Sequence, residues 1–149
     1  MLSHKAKYGL KAAFYLARHY DQGPVLISEL ASAEYIPKKF LENILLELKK
    51  QGILYSRMGK GGGYSLAKAP GKIYLGQIIR VLDGPLAAVQ CVSKSAYVRC
   101  VECKDERTCE IRKVMKHVRD ATAAILDRTS LEDAMHANLK VSKLTQNRV

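Results

Sequence analysis

Between residues 4 and 20, Leu10, Ala13, Phe14 and Ala17 recur at spacings of three and four. A stripe of that period faces a core from one side of an α-helix. Ser3 stands where an N-cap hydroxyl would accept from the first free amides. "DQGP" at 21–24 reads as a turn, and a short helix over about 27–34 points Leu30 and Ala31 inward. Ile36-Pro37 breaks that helix, since proline disfavours helical backbone in the residue before it. Pro37 itself suits the first turn of a third helix. That helix runs to about Gln51, with Leu41, Ile44, Leu45 and Leu48 as its buried stripe. Gly52 follows as a C′ residue that takes left-handed backbone without a steric penalty.

The period then changes from helical to extended. "ILYSRM" (53–58) and "GYSLAK" (63–68) read as two short strands, and "GKGG" at 59–62 permits the positive φ of a tight hairpin tip. Three helices followed by a hairpin is the order of a winged helix-turn-helix. The predicted fold is therefore mainly α with a small β-hairpin wing, the DNA-binding module occupying residues 1–68.

Residues 69–90 form a connection containing the helix "YLGQIIRVLDG" (74–84), closed at Asp83-Gly84. Residues 91–109 read as an irregular cysteine-rich loop. A long helix starts near Thr108, and Ile111, Val114, Met115, Val118, Ala121 or Thr122, and Ile125 line it in a narrow stripe. A seam that narrow suits one helix packing on another better than a broad domain face. Little of the remaining chain could cover it, so a contact with a second subunit is expected. Residues 110–136 thus make a dimerisation helix and a short terminal helix at 130–135, and residues 137–149 a flexible basic tail. No internal repeat is present.

Composition adds the partner. The 149 residues carry 25 Lys and Arg against 14 Asp and Glu, a formal net charge of +11. The excess is spread evenly, ten against five over residues 1–67 and fifteen against nine over residues 68–149. A folded basic surface favours anionic partners, chiefly nucleic acid or an anionic membrane surface, and the winged helix-turn-helix makes double-stranded DNA the expected one. Lys5, Lys7 and Lys11 interrupt the N-terminal stretch, which lacks the apolar segment of a signal peptide. No apolar run approaches the roughly 20 residues that span a bilayer. A cytoplasmic chain with no membrane partner is expected.

Within the second helix of the motif, "PKKFLENI" (37–44) is the half that enters a major groove. Core or flanking-helix contacts should claim Phe40, Leu41 and Ile44, leaving Lys38, Lys39, Glu42 and Asn43 outward. Lys donates to guanine or phosphate, Asn pairs with adenine, and Glu accepts from cytosine. Arg57 and Lys60 flank the slim glycine turn, where a cation can reach a minor groove. Lys5, Lys7 and Lys11 are candidates for phosphate contacts, which position the protein without specifying sequence. The same surface could also be no more than a solvated helix face.

All four cysteines, Cys91, Cys100, Cys103 and Cys109, fall in "CVSKSAYVRCVECKDERTC". Thiolates prefer zinc, Cu(I) or iron–sulfur clusters. Cys100-x2-Cys103 lets one turn present two sulfurs, and Cys109 sits where free helix amides favour a thiolate. Four cysteines serve a [4Fe–4S] or [2Fe–2S] cluster, or a structural zinc site. A thiol switch and a disulfide remain open, although cytoplasmic thiols stay reduced. Arg99, Lys104, Arg107 and Arg112 would offset an anionic centre or lower a thiol pKa. For catalysis, His4, His19, His117 and His136 are scattered without a nucleophile partner, so neither an enzyme nor a small-molecule substrate is expected.

"MLSHKAKYGLKAAFYLA", "IPKKFLENILLELKKQGIL", "SRMGKGGGYSLAKAPGKIYLGQIIRVLDG" and the downstream cysteines together resemble the bacterial winged-helix regulators that include IscR, NsrR, RirA and CymR. The resemblance covers roughly residues 1–136. It implies a homodimeric transcription factor, expected to repress, with a long C-terminal dimerisation helix. In the cluster-binding members it implies a cluster held by three cysteines, which match Cys91, Cys103 and Cys109 here. Cys100 is additional, and the Cys91–Cys103 interval is longer than usual. Where one type carries a ligating His, this chain has Arg112, and where another has an acidic residue before "YGL" it has Lys7. Neither side chain can ligate as a cation. Cys100 is therefore the candidate fourth ligand, with His4, Glu34 and His117 as weaker ones.

Overall fold

The computed structural model describes residues 2–136, so the basic tail expected at 137–149 lies outside the described residues. Six α-helices and one hairpin follow in the order α1 (His4–Arg18), α2 (Ile27–Glu34), α3 (Lys38–Lys50), β1 (Leu54–Arg57), β2 (Gly63–Leu66), α4 (Leu75–Asp83), α5 (Glu110–Leu126) and α6 (Leu131–Met135). Single 3₁₀ turns at Tyr20–Gln22, Pro70–Lys72 and Gln90–Val92 were not legible in the periodicity. The first helix accordingly ends two residues before the expected limit, His19 turning out of helical backbone to start the first of these turns.

The expected caps are in place. Ser3 Oγ accepts from the Ala6 amide at 3.0 Å. Pro37 sits one residue earlier than expected, as the N-cap of α3 in extended backbone. Gly52 and Gly84 take positive φ after α3 and α4.

One core joins α1, α2, α3, the hairpin, α4 and α6. Leu41, Ile44, Leu45 and Leu48 are all buried, as the stripe required. Helices α1 and α4 meet at Gly9, where an added Cβ would lie 2.1 Å from Leu82 Cδ1. A side chain there would require Leu82 to repack.

Strands β1 and β2 pair antiparallel from Leu54↔Leu66 to Arg57↔Gly63. Val25 adds a rung, exchanging both backbone hydrogen bonds with Tyr64 at 2.8 Å. Gly63 makes that approach possible, because a Cβ at its φ of 141° would sit 2.3 Å from the Val25 carbonyl oxygen. The wing is thereby fixed to the segment entering α2.

Helix α5 has no buried residue among those described. Ile111, Val114 and Val118 are 68%, 56% and 45% exposed along one edge. Its C-terminal end is tied down. Arg80 on α4 makes a two-pronged contact with Asp127, 2.5 and 2.9 Å. Beyond it the Leu75 amide donates to Thr129 and the Leu131 amide to Ile73, at 3.0 and 2.9 Å, and Leu131 is fully buried. Among the described residues no helix is long and apolar enough to cross a membrane.

Candidate nucleic-acid interface and cysteine site

The N-terminal half of α3 presents Lys38, Lys39 and Asn43 to solvent, with Glu42 half-buried and 3.8 Å from Lys39. Phe40 leans edge-on against Tyr8 of α1 at 5.8 Å between ring centres. A groove of about 480 Å³ runs between the start of α2, this face and the wing. Lys38, Glu42 and Arg57 line it together, joined by Ser28 and Lys49, which sequence reasoning did not single out. Lys60 is exposed at the tip beyond the groove.

Two further residues stand out on this side. Tyr35 ends α2 at φ 54°, the one non-glycine residue with positive φ among those described, and is 90% exposed. Met58, at the wing tip, is 91% exposed. Of the α1 lysines, Lys7 is exposed, Lys5 pairs with Glu47 at 2.8 Å, and Lys11 donates to the Glu34 carbonyl at 2.5 Å.

The cysteine segment folds back on the first turns of α5. All four thiols line one cavity of about 360 Å³, with Val98, Val101 and Ile111 among its apolar walls. Cys91 is buried, Cys103 and Cys109 are half-buried, and Cys100 is exposed. The Cys103 amide donates to the Cys100 carbonyl at 3.2 Å, closing the short turn that the x2 spacing implied. Cys109 is the N-cap of α5, its Sγ accepting from the Arg112 amide at 3.4 Å. Partial burial holds the Cys103 thiol above its usual range, reinforced by the Cys109 sulfur, which also hydrogen-bonds it.

Backbone contacts hold the Cys91 segment to the helix. Arg112 Nε donates to the Cys91 carbonyl at 3.3 Å, and Arg119 Nη1 to that of Val92. Across the loop, Tyr97 donates to Glu106 at 2.6 Å, and Asp105 accepts from the Arg107 amide at 2.9 Å. Backbone and side-chain hydrogen bonds from Arg107 keep the Asp105 carboxyl below its ordinary range.

The donor set is chemically suited to a thiophilic centre, four soft sulfurs in an apolar setting. The sulfurs line the wall without converging: among the described residues no three His, Cys, Asp or Glu side chains come together as metal ligands. The weaker candidates lie elsewhere. His4 packs toward Tyr8, Glu34 pairs with Arg18 and Lys11, and His117 is exposed on α5.

Three helices, a wing and an exposed basic face at the start of α3 define a winged-helix DNA-binding protein. The chain belongs to the Rrf2 family: the family model, described as an iron-dependent transcriptional regulator, matches residues 2–137. It is 41% identical to an rrf2-like HTH-type transcriptional regulator of Rhodobacter capsulatus, covering 99% of this chain and 100% of that one. It is 33% identical to the HTH-type transcriptional regulator CymR of Bacillus subtilis, over 89% and 87% of the two chains. Among solved structures, CymR, the global cysteine regulator of B. subtilis, superposes with a TM-score of 0.76 at 31% identity, covering 92% and 97%. IscR of T. potens superposes with a TM-score of 0.73 at 27% identity, covering 95% and 90%. The chain is a transcriptional regulator and not an enzyme.

Proposed function

We propose that this regulator works as a homodimer that reads an operator through α3 and the wing and senses its signal through an iron–sulfur cluster on the cysteine segment. The observation that carries the sensing site is the shared cavity: all four sulfurs face one apolar space beside the first turn of α5. Cys91, Cys100, Cys103 and Cys109 would hold the cluster, which supplies a group responsive to iron supply, oxidants or nitric oxide.

The chain's own residues supply the route outward. Arg112 and Arg119 grip the carbonyls of residues 91 and 92, so movement of that segment is felt by α5. The Arg80–Asp127 contact joins the far end of α5 to α4, which packs against α1 and α3. The apolar edge of α5 is the surface a second copy would cover. Paired recognition helices must reach half-sites about 34–36 Å apart, or a multiple of that, so a small shift of α5 alters their fit.

A second reading rests on Cys103 and Cys109, which line the same cavity, the Cys109 sulfur helping to raise the Cys103 pKa. Two thiols on one cavity suit a thiol-based switch that needs no metal. A structural zinc ion is the remaining occupant the donor set would accept.

Anaerobic purification with iron, sulfide and zinc analysis separates the three. Coloured protein with matching iron and sulfide is expected. Colourless protein with stoichiometric zinc would defeat the cluster, and metal-free protein whose DNA affinity changes on alkylation would establish the thiol switch.

A further inference from the structure

Next to the sulfur cavity, and sharing Cys91 and Arg112 with it, lies a second cleft, of about 400 Å³. Its floor is buried: Val92 is 2% and Ser93 8% exposed. Four of the residues that face it are cations, Lys94 from the loop and Arg112, Lys116 and Arg119 from successive turns of α5, and no carboxylate lines it.

The charges are poorly compensated. Arg119 is spent on the Val92 carbonyl and on Asp120 at the rim, at 2.6 Å. Lys94, Arg112 and Lys116 form no ion pair among the described residues. Arg112 uses Nε on the Cys91 carbonyl, which leaves its two terminal nitrogens for another acceptor. The Asp120 carboxyl is held below its ordinary range, first by its hydrogen bond from Arg119 and then by the charges of Lys94 and Lys116. Like charges gathered in a concave site repel one another and are relieved by an anion. A guanidinium fork beside two ammonium groups matches an oxyanion with several charges.

We propose that this cleft is a binding site for a small, multiply charged oxyanion, a phosphate or carboxylate compound, held by Lys94, Arg112 and Lys116. Its lining comes from the cysteine segment and α5, with no residue of α3 or the wing, which favours a small molecule over the operator backbone. The site does not depend on what the cysteines hold. If they form the sensor, the cleft adjoins it at Cys91 and Arg112, and a bound anion would brace the Cys91 segment through Arg112.

Calorimetric titration of the full-length protein, at fixed ionic strength, tests the site with pyrophosphate and separately with citrate. Saturable binding of either at one per chain is expected, and which of them binds tells phosphate from carboxylate. The exposed pair Lys94→Gln/Lys116→Gln should weaken it by about tenfold or more, and Lys72→Gln should leave it unchanged. Melting curves verify that each variant is folded. Absence of saturable binding, or equal affinity in the double variant, would overturn the proposal. So would displacement of pyrophosphate by random duplex DNA together with an equal loss of DNA affinity in the double variant, since the cleft would then be a DNA contact.

Discussion

Arg112 holds Cys91 by its backbone: the guanidinium Nε donates to the Cys91 carbonyl at 3.3 Å, from the first turn of α5. A residue that cannot be a ligand is thus the clasp between the cysteine segment and the helix. Arg112→Ala should free that segment and expose the buried Cys91 thiol. Loss of one such bond is worth about 1–3 kcal/mol. Alkylation of Cys91, followed by peptide mass spectrometry on metal-free protein, should accelerate about tenfold or more. An unchanged rate would show that the clasp bears no load.

The wing and α3 make separable predictions. Arg57→Ala should weaken binding to all duplexes and lower the salt slope by about one. Glu42 lines the same groove, and Glu42→Ala should instead flatten preference among operator variants, by about 1–3 kcal/mol at the position it reads. Fluorescence anisotropy across salt concentrations and operator variants measures both.

Tyr35 occupies left-handed backbone at φ 54° with 90% of its surface exposed. A side chain in that conformation costs roughly 1–2 kcal/mol relative to glycine, and exposure returns little of it. Tyr35→Gly should therefore raise stability by about 1 kcal/mol in chemical denaturation. A simultaneous fall in operator affinity would show that the exposed ring at the head of α3 is retained for contact with DNA.

Much of this architecture could be read before the structure. The stripe Leu41, Ile44, Leu45 and Leu48 placed α3 to within one residue at each end, because burial and helical period coincide there. The start of α5 was placed near Thr108, two residues before Glu110, and Cys109 beside its free amides, where it serves as the cap. What escaped were contacts between distant parts of the chain. Val25 pairs with Tyr64 through backbone atoms, which leave no trace in side-chain pattern. Arg112 and Arg119 were legible as charges but not as donors to the carbonyls of residues 91 and 92. The cleft they share with Lys94 depends on the loop folding back, and a helical wheel cannot show that.

The Cys103 thiol has a definite pH signature. Its pKa is raised, chiefly by partial burial and then by the Cys109 sulfur. The folded chain therefore binds this proton more tightly than the unfolded chain does. The resulting stabilisation is complete below the ordinary thiol range and disappears as pH rises through the elevated folded value. Alkylation of metal-free protein should modify the exposed Cys100 before Cys103 at neutral pH, with Cys103 catching up only under alkaline conditions. Site-resolved mass spectrometry gives both rates.

Helix α5 offers Ile111, Val114 and Val118 to solvent in a single subunit. If a second copy covers that edge, Val118→Glu should bury an unpaired charge in the seam and shift the protein toward monomer. Analytical ultracentrifugation would detect the change, and thermal stability of the parent should rise with protein concentration. A variant that remains dimeric would place the contact elsewhere.

Every cysteine of the chain lies from the turn at Gln90–Val92 to the cap of α5, within one uninterrupted stretch of chain. The residues proposed to face DNA all precede it. Such an arrangement behaves like a cassette: exchanging residues 91–109 for another segment that ends in a helix cap would change the stimulus while leaving the operator untouched. A lineage could retune what it responds to by one short recombination, without rebuilding the regulon it controls.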